Sequence, residues 1–378
     1  MICRRSGNPH FFSLLSVFSL FVLFTSILLA GCIEPGYQPD HDVLVIKLSS
    51  NGSLEWSKVI DKGGDDKAGI VIPTNDGGSI ISTNFDNYLR FSKDGNILWE
   101  KEFRDPLCMG DALIQLRDGS FVTASSGNGV VCKLDKNGNL LWNKSSVKFD
   151  SVMTSSIHSV IETNDGGFLV AGNYLTRLDP DGRPIWQYSY ATHDGIQGYE
   201  KTFSVIEMKN RGFLGLSQKY DHLYVIRLDP NGTIIANSSL GEFSSYHSQG
   251  IKENNNGYSI MVDNKSNSTM DIVHLDADGN IVNQRTLKNS PAIVTSDGGY
   301  FSVIVQNPDE KPDNLSEKGK IAVGGKKLDA DGTEMWRSTP LTFCKPVKTT
   351  INIGVSNVVQ TSDGGYIILG SRDNFWKC

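Results

Sequence analysis

Two short motifs alternate along this chain in seven copies each, and no other feature limits its fold so tightly. The first reads LSSNGSLEW (48–56), FSKDGNILW (91–99), LDKNGNLLW (134–142), LDPDGRPIW (178–186), LDPNGTIIA (228–236), LDADGNIVN (275–283) and LDADGTEMW (328–336). The second reads TNDGGSII (74–81), LRDGSFV (116–122), TNDGGFLV (163–170), KNRGFLG (209–215), NNNGYSI (254–260), TSDGGYFS (295–302) and TSDGGYII (361–368). Both carry the chemistry of a tight turn. In LDPDGRPIW, Asp179 can bond the turn backbone, Pro180 presets φ, and Gly182 supplies the left-handed residue that closes a type I turn with a bulge. The turn glycines assigned in this way are Gly52, Gly78, Gly95, Gly138, Gly167, Gly182, Gly232, Gly279, Gly299, Gly332 and Gly365. Flanks such as VLVIKL and YVIRL are β-branched and aromatic, so each motif joins two strands. Fourteen hairpins at a period of about 41 to 66 residues predict an all-β, seven-bladed β-propeller with four antiparallel strands per blade.

The linkers set the phase of the blades. Few residues separate a DGG hairpin from the next LDxxG hairpin, whereas the reverse connection is longer, as at 190–202 and 339–354. A connection from the outer strand of one blade to the inner strand of the next must cross a whole sheet, so the longer linker lies between blades. The DGG hairpin then supplies the two inner strands and the LDxxG hairpin the two outer ones. On this phase the chain starts with an outer hairpin (43–60) and ends with an inner one (354–370), and the two halves complete one blade and close the ring. Closure hides two sheet edges. Trp56, Trp99, Trp142, Trp186 and Trp336 each lie four residues past a turn glycine, where a flat ring can dock on the neighbouring blade. Ala236 and Asn283 replace the ring in the fifth and sixth copies, which predicts two weaker junctions.

Ahead of the repeats, Arg4 and Arg5 precede an uncharged apolar stretch over 11–30, followed by Gly31 and Cys32. The order Leu28-Leu29-Ala30-Gly31-Cys32 reads as a lipobox: small residues admit a signal peptidase, and the cysteine thiol takes a diacylglycerol. Residues 1–31 are then a lipoprotein signal peptide, Cys32 the lipidation site, 32–41 a tether and 42–378 the propeller. The alternative is an uncleaved transmembrane helix, since 20 residues at about 1.5 Å each span a hydrocarbon core of about 30 Å. Either way the body is expected outside the cytoplasm, anchored at a cell membrane or cell surface. In that oxidising setting Cys108, Cys132, Cys344 and Cys378 are an even set. Cys108 with Cys132 and Cys344 with Cys378 are the favoured disulfides, with free buried thiols as the alternative.

The element K-L-D-x-x-G-x-x-x-W, joined to D-G-G-Y/F, resembles the repeats of the quinoprotein-like (PQQ-like) propeller superfamily. It is most similar to surface lipoproteins with tandem DGGY…KLDxxGxxxW units, over roughly residues 42–377. That resemblance implies the fold and leaves the function open, because one scaffold hosts many activities. A quinoprotein dehydrogenase would carry a vicinal Cys-Cys pair; this chain has none, and no cofactor is expected. Sialidase-type boxes place their acid differently from these turns. Asp276, Asp278 and Asn280 crowd one turn, but the glycine comes two positions too early for an EF-hand, and the seven histidines form no zinc-binding pair. No metal is expected. No G-x-S-x-G elbow occurs, so no catalytic residue is assigned. A net charge of −6 without a basic run argues against nucleic acid as a partner.

With both sets of turns on one rim, the irregular segments 104–110, 147–156, 191–201, 308–320 and 339–350 gather on the other, where function usually sits on a rigid scaffold. The favoured reading is a non-enzymatic module that binds a protein or a glycan. The alternative is an extracellular polysaccharide hydrolase or lyase, for which Asp194, Glu200, Glu242 and Asp309 are the candidate acids. His158 and His247 are placed at the central channel as polar lining.

Overall fold

In the computed structural model, the residues described are 41–378 apart from 85–86, 104–107, 109, 111, 126–128, 146–156, 190–200, 221, 243–247, 255, 265–268, 289–291, 307–319, 345–352, 374–375 and 378. The expected signal segment, Cys32 and the expected tether as far as residue 40 therefore lie outside the described residues, as does the expected pairing of Cys344 with Cys378; His41, set in the tether, instead opens the first strand.

The described chain forms seven antiparallel sheets arranged as a ring. Blade 1 joins Ile353–Gln360, Tyr366–Asp373, His41–Leu48 and Leu54–Ile60, from the channel outward. The two ends of the repeat region thus meet in one sheet, Val45 lying opposite Leu369 and Ile46 opposite Ile368. Blades 2 to 6 each run four consecutive strands outward, beginning at Ala68–Pro73, Ala112–Gln115, Ile157–Glu162, Lys201–Glu207 and Ser248–Asn254.

Blade 7 departs from the expected four strands. Its first three are Ala292–Val294, Tyr300–Gln306 and Lys320–Leu328; the outer side of the third is shared by Glu334–Arg337 and Leu341–Cys344, and Trp376–Lys377 pairs outside the latter. Part of the segment 339–350, read from the sequence as an irregular linker, is therefore strand. Lys320–Leu328 runs nine residues, longer than the Glu334–Arg337 strand beside it, and Leu341–Cys344 pairs with its other end.

Apolar clusters fill the junctions between blades. Val43, Val45, Val71, Ile81, Leu89 and Phe91 join blades 1 and 2, while Leu214, Leu216, Val225, Ile260 and Val273 join blades 5 and 6. The second strand of a blade lies between two neighbours, so Ser79–Thr83, Phe121–Ala124 and Phe168–Gly172 are buried along their whole length. Inner strands carry recurrent bulges, for example between Ile157 and Ser159 and between Val355 and Asn357. A bulge turns the strand locally and re-aims its side chains.

The turns correct one assignment. In the LDxxG hairpins the turn glycine does take the left-handed conformation, with φ +79° at Gly182, where Gly182 N–H bonds the Asp179 carbonyl at 2.9 Å. In the DGG hairpins the left-handed residue is the first glycine: Gly77, Gly166, Gly298 and Gly364, and not Gly78, Gly167, Gly299 and Gly365. The second glycine answers a different need. A Cβ at Gly365 would collide with Lys47 Nζ and with the Leu48 carbonyl, so the position is kept bare to admit a buried cation.

Candidate functional site

That cation belongs to a clamp repeated through the ring. The residue just before the Leu or Phe of the LDxxG motif reaches back across its own blade to the aspartate of the DGG turn. The pairs are Lys47 with Asp363 (2.9 Å), Arg90 with Asp76 (2.6 Å), Lys327 with Asp297 (2.9 Å) and Arg177 with Asp165. In blade 3 Ser120 stands where the others have glycine, and Lys133 stays 3.5 Å from Asp118. Partial burial pushes the Asp76 carboxyl up, but hydrogen bonds from Arg90, Thr74 and the Gly78 N–H outweigh it and hold the group down at about 2. Asp118, Asp165, Asp297 and Asp363 are lowered by the same balance.

The tryptophans and arginines bind blade to blade. Trp56 lies on Gly95 of the next blade and donates its indole N–H to the Lys93 carbonyl at 2.7 Å; Trp99 does the same to Lys136 at 3.1 Å, over Gly138. Trp142, Trp186 and Trp336 lie on Gly182, Gly232 and Gly52. At the two junctions without a tryptophan, arginine takes over the role. Arg227 is opposite Ala236 in its sheet, lacks a DGG aspartate because Asn210 replaces it, and bonds the Asp278 carbonyl of blade 6 at 2.6 Å. Arg285 bonds the Ala330 carbonyl and Tyr300 of blade 7. The expectation of two weak junctions is thus modified: polar anchors stand where the rings are missing. The apolar cluster between blades 6 and 7 is nonetheless small among the described residues, centred on Met261, Ile272 and Tyr300.

At the channel mouth a third set of contacts links the turns. Gln115 accepts the Asn75 N–H (2.8 Å), Glu162 that of Arg117 (2.9 Å), Glu207 that of Asn164 (2.7 Å) and Gln360 that of Ser296 (2.8 Å), each bond joining neighbouring blades. Below this girdle lies a cavity of about 680 Å³ walled by inner strands of blades 1, 2, 3, 6 and 7. Its lining mixes aliphatic side chains such as Ile72, Ile114 and Val359 with the polar Asn75, Ser296 and Asn357, and Lys252 and Glu253 are its charged members among the described residues.

Cys108 and Cys132 form a disulfide that ties the linker before blade 3 to the third strand of that blade. His158 lies half-buried on the inner strand of blade 4, its ring 5.6 Å from that of Phe203. His247, Asp194, Glu200 and Asp309 lie outside the described residues; Glu242 ends an outer strand, its backbone opposite His222. A cluster not anticipated from the sequence is Asp42, Asp61 and Asp66, whose carboxylates converge within 4.8 Å. Arg372 reaches Asp42 at 3.1 Å, while Asn84 (2.9 Å) and the Lys62 N–H (2.6 Å) bond Asp66, so this knot joins the first interblade linker to the closing blade.

The outer strands show a further regularity. The residue three places past the LDxxG glycine is apolar and more than half exposed in six blades: Leu98, Leu141, Ile185, Ile235, Val282 and Met335. Each sits on the outermost strand of its motif.

The profile of a PQQ-repeat family described as outer membrane protein assembly factor BamB matches residues 41–206. Together with the seven-bladed ring, it supports a PQQ-like propeller. Among solved structures, a streptogramin B lyase is similar at 12% identity and a TM-score of 0.54, covering 89% of this chain and 98% of that one. A catalytically inactive virginiamycin B lyase from Staphylococcus aureus with quinupristin is similar at 12% identity and 0.52, covering 87% and 99%. BamB from Moraxella catarrhalis is 15% identical with a TM-score of 0.45, over 86% and 90%. At such identities the likeness shows the fold alone. No curated protein matches the sequence.

Proposed function

We propose that this chain is exported, held at a membrane through lipid on Cys32, and acts there as a non-enzymatic propeller that binds a protein partner. The row of exposed apolar residues on the outer strands carries the binding reading. An outer strand has unpaired N–H and C=O groups along its free edge, and apolar side chains beside such an edge form a receptor for an added strand. Blade 7 gives an internal example, since Trp376–Lys377 adds to its outer side. The partial match to a family described as an outer membrane assembly factor supports a protein partner and an extracytoplasmic address.

Photo-crosslinking amino acids placed at Val282 and Ile235 in the full chain, in cells, test the binding reading. Discrete protein adducts from these sites and none from Lys93 in a turn are expected. Equal labelling from all three, or adducts only to glycan, would overturn it. For the anchor, Cys32→Ala should abolish incorporation of labelled fatty acid; persistence of the label removes the lipoprotein assignment.

A further inference from the structure

Lys252 stands on the inner strand Ser248–Asn254 of blade 6 and lines the central cavity. Its side chain is open to the water of the channel, while the surrounding ring desolvates the ammonium and pushes its pKa below the usual lysine range. A cation held at the wall of a partly desolvated channel is a ready partner for an anion that enters it. Several of the polar side chains in the same lining are already engaged. Glu253, the acid of this lining among the described residues, is held by Lys209 at 3.0 Å. The side-chain oxygens of Gln115 and Gln360 take peptide N–H groups at 2.8 Å, and Thr295 Oγ1 accepts from Lys327 at 3.0 Å and donates to Asp297.

The cavity thus has walls of mixed polar and aliphatic character, with the Lys252 ammonium facing into it. At about 680 Å³ it falls within the size range of small-molecule sites, which combine an apolar lining with a few orienting polar groups. We propose that the channel binds a small organic acid, its carboxylate paired with Lys252 and its apolar body against the partly exposed Ile72, Ile114 and Val359. The ion pair would form in a partly desolvated space, where charge-assisted bonds are stronger than in bulk water. The alcohol of the same shape keeps the apolar contacts and forfeits the pair, and the corresponding amine meets a like charge. The site thus selects acid over alcohol over amine.

Calorimetry on the full chain in dodecyl maltoside, with micelle blanks, tests this using 2-naphthoate, 2-naphthylmethanol and 2-naphthylmethylamine. One naphthoate per chain is expected, bound about tenfold or more tighter than the alcohol. Lys252→Met should lose that advantage, while Lys252→Arg should keep most of it. No saturable naphthoate binding, equal affinity for acid and alcohol, or an unaffected K252M variant would overturn the proposal. Should K252M fail to fold, amine-reactive labelling of the unaltered chain decides the matter by peptide mass spectrometry. Naphthoate should protect Lys252 and leave the turn residues Lys93 and Lys136 labelled as before; labelling of Lys252 at the same rate with and without naphthoate overturns the site.

Discussion

The clamp in blade 1 predicts an asymmetry between its two partners. Lys47 is fully buried, whereas the Asp363 side chain is 41% exposed. The ammonium donates to Thr361 Oγ1 at 2.6 Å and to the two Asp363 oxygens at 2.9 and 3.1 Å, with Glu55 further off at 3.7 Å. Asp363→Asn keeps the shape and the acceptor that bonds the Gly365 N–H at 3.0 Å, so the turn survives while the buried ammonium loses its nearest countercharge. Stripping one partner from a buried pair costs about 3 to 5 kcal/mol, and the remaining Glu55 places this variant near the low end. Lys47→Met leaves a carboxylate that water can reach, at a cost of about 1 kcal/mol. The double variant should be no worse than Lys47→Met by itself, which gives a coupling of about 3 kcal/mol. Urea unfolding followed by tryptophan fluorescence measures all three, provided the slope with denaturant is unchanged. Additive costs, or a larger loss for Lys47→Met than for Asp363→Asn, would refute the assignment of the clamp.

The lowered carboxylates of the clamps also set an acid limit. Their folded values lie below the ordinary 3.8, Asp76 at about 2, so the unfolded chain takes up protons first; their stabilisation is complete above about pH 4 and disappears as the pH falls toward 2. A urea midpoint that stays flat between pH 4 and pH 2 would contradict this. Gly52→Ala, at φ +85° with the Trp336 ring against it, should cost at least 1 kcal/mol in the same unfolding assay, and an unchanged midpoint would show that the ring does not dock there. Replacing Cys108 and Cys132 by serine opens a loop of 24 residues and should cost about 3 kcal/mol, read as a lower melting temperature. Arg285→Ala should destabilise the protein more than Asn283→Ala, because Arg285 carries the bonds to blade 7; the reverse order would return that junction to the position where a tryptophan is missing.

The seven blades, their phase and the closing blade were readable because each rests on turn chemistry contained within nine residues or fewer. The clamp was not, although both halves were in plain view. Lys47 and Asp363 belong to different motifs, and the lysine of K-L-D and the aspartate of D-G-G meet only after two hairpins pair in register. The same blindness put the left-handed residue on the wrong glycine, since a second glycine that makes room for a neighbour looks identical to one that makes a turn. Arg227 and Arg285 were hidden for another reason. A missing tryptophan is visible at Ala236 and Asn283, but its substitute comes from a different position in the sheet. The channel lysine had no signal at all, because nothing local marks a strand residue as facing an enclosed space.

Closing the ring with one half-blade from each end has a consequence for how the chain comes into being. Lys47 and Thr361 are 314 residues apart in sequence. The strand His41–Leu48, buried along nearly all its length in the finished ring, is among the first to emerge during synthesis or passage across a membrane and among the last to find its partner. Until Tyr366–Asp373 arrives, it is an open apolar edge, and pairing across so long a stretch is slow and prone to misassociation. A truncation that removes Tyr366–Asp373 should therefore fail by aggregation of the whole body rather than by loss of one blade.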